Sequence, residues 1–473
     1  MTSAVVVGSG PNGLAAAIRL AQEGLDVTVL EAEDTPGGGT RTSELTVPGV
    51  LHDECSAFHP TAVVSPFLTS LGLERHGLRW AWPDLDLVHP LDDGRAGVLS
   101  RDLDRTIEGL GVDGRTWERL FRPLVDRFDR VLPEVLQPVP HLPRHPVALV
   151  RFGLAAGLPA TVLVRAFRDE PAKALLMGVA AHKLGRLDRP LGASVGMMLS
   201  AAGHVGGWPV AVGGSRAIAD AMVALLTSLG GSVRTGVRVD SLRGLADEVG
   251  GRPDVVLLDT SPTSALAIAG DAIAPRVARQ LRRYRYGPSV FKVDVAVEGE
   301  VPWTNPDARR AGTLHLGGTA AEVAAVEAET ARGRMPARPF VLAGQQHLAD
   351  PSRSAGDVHP LWAYAHVPHG WRGDATDAVL DQVERFAPGV RERVVQVASR
   401  GTAQLEAYNA NYVGGDIGTG ANTLRQLVFR PRVTADPYRL ADGLYLCSSA
   451  TPPGGGVHGM CGFHAAGSAL RRL

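Results

Sequence analysis

The stretch Ala4–Glu31 narrows the possible folds more than any other part of the chain. Ala4-Val5-Val6-Val7 is a short β-branched run suited to one fully buried strand. It breaks at Gly8-Ser9-Gly10-Pro11-Asn12-Gly13, and Leu14–Ala21 follows with Leu14, Ile18 and Ala21 on one helical face. Pro11 suits a first helical turn, where its missing N–H costs nothing. Asp26–Leu30 reads as a second strand ending at Glu31. In such a unit Gly8 permits the tight turn, Gly10 lets a diphosphate approach the backbone, and Gly13 lets helix and strand pack closely. Pro11 and Asn12 stand at the helix N-terminus, whose unpaired N–H groups and partial positive charge favour an anion. Glu31, 18 residues past Gly13, is placed to accept hydrogen bonds from ribose hydroxyls. Strand, glycine turn, helix, strand and terminal acid in this order predict a Rossmann-like α/β unit that holds a dinucleotide.

A chain of 473 residues, 45% hydrophobic and 21% charged, is globular and long enough for two cores. Its 48 basic and 49 acidic side chains cancel to −1, so no global positive field gathers nucleic acid. Cys55, Cys447 and Cys461 form no C-x-x-C pair and no H-E-x-x-H spacing occurs, so neither dithiol chemistry nor a metal ion is expected. No charged leader with an apolar core precedes the first strand, which predicts a cytoplasmic setting. The longest apolar stretch, Val147–Phe167, is interrupted by Arg151, Pro159 and Arg165. It reads as a buried helix pair, with peripheral membrane contact as the alternative.

A second glycine element lies at the other end of the chain. Asp442–Cys447 reads as a turn and short strand, followed by Ser448–Pro453 and Gly454-Gly455-Gly456. Val457–Ala466 then reads as a helix emerging from that turn. In the middle, Gly213-Gly214 leads into a helix over Arg216–Leu229, an alternating strand over Val233–Val239 and a buried strand over Pro253–Asp259. Gly414–Gly420 lacks a strand leading in and a helix leading out, and reads as a loop. With one nucleotide unit and no C-x-x-C, a pyridine nucleotide–disulfide reductase of the usual architecture is excluded.

The N-terminal fingerprint, Ser289–Asp294 followed by Pro302-Trp303, Asn411–Asp416, and Leu446–Gly462 together resemble the phytoene desaturase-like FAD oxidoreductases. Within them, the sequence is similar to the bacterial branch related to animal pyridine nucleotide-disulfide oxidoreductase domain-containing protein 2. The resemblance covers essentially the whole chain. It implies non-covalent FAD and a fold of the amine oxidase/phytoene desaturase type: a Rossmann-like α/β FAD domain with an inserted α+β substrate domain. The FAD domain would comprise residues 1–75, a return segment 205–275 and residues 426–473; 76–204 would be the helical part and 276–425 the strand-rich part of the substrate domain. Gly38, Gly39, Thr40 and Arg41 would wrap the diphosphate from its second side, with Ala32 beside the ribose acid and Val237 against the adenine. Relatives carry an Arg directly after the glycine pair where this chain has Gly39, and Arg41 is the candidate to replace it. Ser56 and Ala57 would run along the flavin, and Gly455, Gly456 and Val457 would bring the last helix to it. Two features argue against an amine oxidase: no lysine lies in Pro262–Gly270, and Gly456 stands where an aromatic cage residue would be.

For catalysis, His59 is the leading acid/base or substrate-orienting candidate, because imidazole titrates near neutrality; the alternative is a packing histidine before a proline. His458 either borders the active site or caps its loop. Lys292 and Asp294 share one strand face, either lining the cavity or forming an ion pair. His204 and Trp208 either wall the substrate chamber or pack. His182, His359, His366 and His369 are scattered singly. The expected function is an FAD-dependent oxidoreductase that removes hydrogen from an apolar organic substrate and returns electrons to oxygen or a quinone. The alternatives are a flavin-dependent isomerase or saturase without net NAD(P) use, and a non-catalytic FAD-binding regulator.

Overall fold

The computed structural model describes residues 2–473. Its first three elements are β1 (Ser3–Val7), α1 (Pro11–Gln22) and β2 (Asp26–Leu30). β1 pairs in parallel with β2 on one side and with Val255–Leu258 on the other, which makes it the switch point of a six-stranded sheet. Leu444–Leu446 and Arg439–Ala441 extend the sheet beyond Val255–Leu258, and Ser232–Arg234 edges β2. Ligands in such sheets sit in the crevice at the carboxyl ends of the strands where the order reverses.

The first and last helices touch through their backbones. A Cβ on Gly462, in helix Met460–Leu470, would lie 1.8 Å from the Asn12 carbonyl oxygen at the start of α1. Only a residue without a side chain lets the two ends of the chain approach so closely. The last helix begins at Met460, three residues later than the sequence pattern suggests. Gly459 (φ +68) occupies the left-handed conformation just before it.

The second sheet has seven strands, in the order Val394–Arg400, Ser289–Glu298, Val358–Val367, Val341–Gly344, Ala311–Leu316, Leu85–Pro90 and Ala96–Leu99. All pairings are antiparallel except that of Ala311–Leu316 with Leu85–Pro90. Two of its strands thus come from the segment expected to be helical. Leu85–Pro90 is buried at every position, so the half-buried alternation that marks a strand in sequence is missing there. Helices Glu170–Ala181 and Ser194–Gly206 cross closely, with a Gly196 Cβ position 3.0 Å from the Ala180 Cβ.

The alternating run Val233–Val239 pairs with the sheet only at Val233 and Arg234, and Gly236 (φ +69) turns the chain beyond them. It still tracks the end of β2: the Val237 amide donates to the Glu31 carbonyl at 2.8 Å. The apolar stretch after Arg144 forms helices Pro146–Ala156 and Ala160–Leu163, the second extended to Ala166 by a tighter turn, with an 86° bend between them. This pair is buried on one face only: Ala148, Phe152 and Ala156 pack inward, while Val147, Val150 and Leu154 face solvent. Among the described residues, no single helix is long and apolar enough to cross a membrane.

Candidate functional site

One cavity of about 670 Å³ runs from the carboxyl ends of β1 and β2 to the inner face of the seven-stranded sheet. At its nucleotide end two glycine turns form part of the wall. A Cβ on Gly10 would lie 2.7 Å from an Asp259 carboxylate oxygen, and one on Gly13 would lie 2.2 Å from the Gly8 carbonyl oxygen. Gly8, at φ +100, holds the turn. Gly8, Gly10, Pro11 and Asn12 face the cavity, while Gly13 sits behind them, packed between helix and strand.

A second glycine turn rests on the first. The Gly37 amide donates to the Ser9 carbonyl at 3.1 Å, and a Cβ on Gly38 would come within 3.1 Å of the Gly10 Cα. Gly38, Gly39, Thr40 and Arg41 all line the cavity from there. At Gly39 a side chain is excluded, since its Cβ would lie 2.1 Å from the Tyr412 hydroxyl. An arginine directly after the glycine pair would meet that hydroxyl. Arg41, two residues on, is buried. It donates to the Glu31 carboxylate at 3.3 Å and to the Thr35 carbonyl at 3.0 Å, with its guanidinium 5.3 Å from the Tyr408 ring centre.

Glu31 reaches back from the end of β2. It accepts the Ser9 amide at 2.8 Å, the Ser9 hydroxyl at 2.5 Å and the Glu33 amide at 3.0 Å. Ala32 and Val237 continue this end of the wall. Farther along, Ser56 and Ala57 line one side and Gly455, Gly456 and Val457 the other, so the last glycine turn and the first share a single cavity.

Asp259 is a site residue that the strand pattern alone did not reveal. It follows the apolar strand Val255–Leu258, and its carboxylate accepts the Gly13 amide at 3.0 Å beside the glycine cradle. Burial, helped by the neighbouring Glu31 carboxylate, pushes its pKa up to about 7 against the bonds from the Gly13 and Gly10 amides. The available signal was the acid itself, placed directly after a run too apolar to end on a charge by chance. Near neutrality this carboxyl is about half protonated, which lowers the charge that an incoming diphosphate meets. With the two glycine cradles, the buried Asn12 Oδ1 and Thr260 Oγ1 that lack protein partners, and the Glu31–Arg41 pair, this end fits an adenine dinucleotide.

Past the glycine turns the cavity becomes an apolar chamber. Phe58, Leu199, Trp208, Leu342, Trp362 and Tyr364 form much of its wall. Thr313 and Trp362 flank Gly344 across three neighbouring strands, and the Phe58 ring packs onto Gly344 between them. His182 supplies an imidazole to the wall; its Nε2 lies 3.0 Å from the His315 Nε2, so it is paired rather than isolated. Burial pulls the His182 pKa down to about 3 and keeps the ring neutral.

The two histidines first considered for acid/base work do not line the cavity. His59 is buried, with its Nε2 bonded to the Ser215 hydroxyl at 2.9 Å, and burial lowers its pKa to about 4. His458 lies behind the glycine turn, where its Nδ1 accepts the Met460 amide at 3.1 Å and caps the last helix. That cap takes up one of the otherwise free N–H groups at the start of the last helix. Its pKa, too, falls to about 4 through burial. Lys292 and Asp294 form a buried ion pair, with His52 Nδ1 3.4 Å from the carboxylate, and Lys292 sits 5.3 Å over Trp362, behind the chamber wall. Trp208 is a wall residue, whereas His204 packs, accepting from Trp117 at 3.0 Å and donating to the Ser100 carbonyl at 2.8 Å. Among the described residues no cluster suits a metal ion.

Residues 6–70 match the NAD(P)-binding Rossmann-like domain family. Over 99% of its length the chain is 26% identical to pyridine nucleotide-disulfide oxidoreductase domain-containing protein 2 of Rattus norvegicus, covering 93% of that protein. It is 24% identical to a neurosporene-forming phytoene desaturase of Rhodobacter capsulatus, across 98% of this chain and 92% of the other. The fold matches putrescine oxidase bound to putrescine with a TM-score of 0.62 at 18% identity, over 100% of this chain and 99% of that one. The likeness therefore spans both sheets and does not stop at the nucleotide fingerprint.

Proposed function

We propose, for a chain that is a phytoene desaturase-like, FAD-dependent oxidoreductase, that its reaction is removal of hydrogen from an apolar organic molecule held in the chamber. The observation that carries this reading is the continuity of the cavity: a dinucleotide cradle opens directly into a chamber walled by Phe58, Leu199, Trp208, Leu342 and Trp362. Bound flavin supplies a two-electron acceptor.

The residues around it have separable tasks. The N-terminus of α1 and the two glycine turns would hold the diphosphate with main-chain N–H groups, and Glu31 would orient the ribose. Apolar walls exclude water and hold a C–H bond at the junction, where positioning supplies much of the rate. Among the described residues no chamber carboxylate or ammonium attracts a charged substrate: Lys292 and Asp294 neutralise one another behind Trp362, and the buried Arg430 guanidinium beside Leu427 is bonded to the Gln426 and Ser449 carbonyls and to Asn422 Oδ1. His182, paired with His315 and held neutral by burial, adds an imidazole to the wall without a charge that would draw in water. Oxygen or a quinone would be the electron acceptor, since the described residues hold a single nucleotide cradle.

The test is anaerobic mixing of the yellow holoprotein with a panel of polyenes, terpenoids and long-chain alcohols. Bleaching of the flavin absorbance by at least one of them is expected. Leu199→Trp, which fills the chamber, should abolish bleaching and leave FAD content unchanged. Bleaching by primary amines alone would overturn the reading.

A further inference from the structure

The bent helix pair after Pro140 packs one face on the core and lines no part of the cofactor site, yet its segment carries the most exposed apolar side chains among the described residues. Leu142 is 92% exposed, Leu154 72%, Val147 69% and Val150 59%, with Leu158 and Val162 exposed across the bend. Val147, Val150 and Leu154 recur at helical spacing, so they form a stripe along Pro146–Ala156 opposite the packed Ala148, Phe152 and Ala156. A soluble surface rarely gathers such residues without a partner.

The charge on this surface says what the partner is. No acidic residue occurs between Glu134 and Asp169, while Arg144, Arg151, Arg165 and Arg168 are all exposed there. The chain as a whole is close to neutral, so the bias is local. An apolar stripe edged by arginines, on helices too short to span, matches a helix that lies in the headgroup region of an anionic bilayer.

Position adds a reason. Leu191 donates its amide to the Gly157 carbonyl and Ala193 to that of Leu158, which ties the bend to the start of helix Ser194–Gly206. Val195 and Leu199 of that helix line the chamber, as does Leu184 just upstream. Across the same end, Asn422 donates to the Lys183 carbonyl at 2.7 Å, and Leu424 and Phe429 stand exposed on either side of the chamber residue Leu427.

We infer that the face formed by Leu142, Val147, Val150, Leu154 and Leu158, with Arg144 and Arg151, docks on an anionic lipid surface and turns the chamber's outer end toward it. An apolar substrate then reaches the chamber from the bilayer. The docking itself is independent of the flavin reading, since the surface exists whether or not the cradle is filled; delivery of an apolar substrate rests on that reading.

Co-sedimentation of the holoprotein with phosphatidylcholine vesicles, with and without phosphatidylglycerol, tests it. The protein should pellet with phosphatidylglycerol-containing vesicles and be released in part by salt. Val150→Glu with Leu154→Glu should abolish pelleting, and Arg144→Glu or Arg151→Glu should each weaken it by at least ~5-fold. Val395→Glu, exposed on the opposite sheet edge, should leave it unchanged. Retained flavin content and circular dichroism show that the variants fold. The inference is overturned if no vesicle binds the wild type, if the Val150/Leu154 variant binds as well as the wild type, or if that variant instead dissolves a dimer of a chain that ignores vesicles.

Discussion

At the nucleotide end the cavity is shaped by two glycine turns close to one another, whereas the chamber is walled by single side chains from strands and helices far apart in sequence. The first surface is polar and held by glycines whose Cβ positions are occupied by neighbouring atoms, as at Gly10, Gly13 and Gly39. The second is apolar, and its one ion pair is hidden behind Trp362. A backbone cradle tolerates almost no substitution, because its ligands are the chain itself. A side-chain chamber can be repacked one residue at a time, so specificity can change there while the cofactor stays in place.

The contrast sets the expected sizes of effect. Gly13→Val should have the largest: a side chain 2.2 Å from the Gly8 carbonyl forces α1 away from β1, and the purified protein should be colourless with no FAD recovered on reconstitution. Next is the ion pair behind the chamber. Lys292→Met leaves the Asp294 carboxylate buried without its cation and should lower stability by about 3–5 kcal/mol in denaturant titration. Lys292→Met with Asp294→Leu should recover most of that loss, because the uncompensated charge is gone.

Asp259 couples the cradle to pH. Its folded pKa of about 7 lies above its ordinary value of 3.8, so the fold favours the protonated form. That contribution is complete below 3.8, declines as pH rises and is lost above about 7. Wild-type FAD affinity should therefore fall by up to ~10-fold per pH unit above 7, as the diphosphate meets an ionised carboxylate. Fluorescence titration of Asp259→Asn should show that slope removed. The smallest effect is expected at His59. His59→Phe breaks the bond to Ser215 and should cost about 1 kcal/mol of stability, with flavin content and bleaching rate within about twofold of wild type. A loss of bleaching with intact flavin would return His59 to the active site.

The nucleotide end was legible in sequence because its determinants are local. Gly8 to Glu31 lie in one strand–helix–strand unit, and turn geometry dictates residue type at each step. The meeting of the first and last glycine turns was also legible, through the resemblance and the pattern of Gly454–Val457. The chamber was not. His182 pairs with His315 across 133 residues, and Thr313, Gly344 and Trp362 become neighbours only through strand pairing. Nor do residue types reveal which way an imidazole points: His59 and His458 lie within a residue or two of the cavity lining and turn away from it.

What the sequence by itself determined, then, is a Rossmann-like unit that holds a dinucleotide and the acid that closes it, since short-range sterics leave glycine no substitute there; that the dinucleotide is FAD came through the resemblance. Tertiary structure alone decided that Asp259 sits against the cradle with a raised pKa, that the lysine–aspartate pair is sealed behind a tryptophan, and that one face of the bent helix pair stays uncovered. Each of these depends on burial, and burial is a property of what packs around a residue, which no stretch of chain carries within itself.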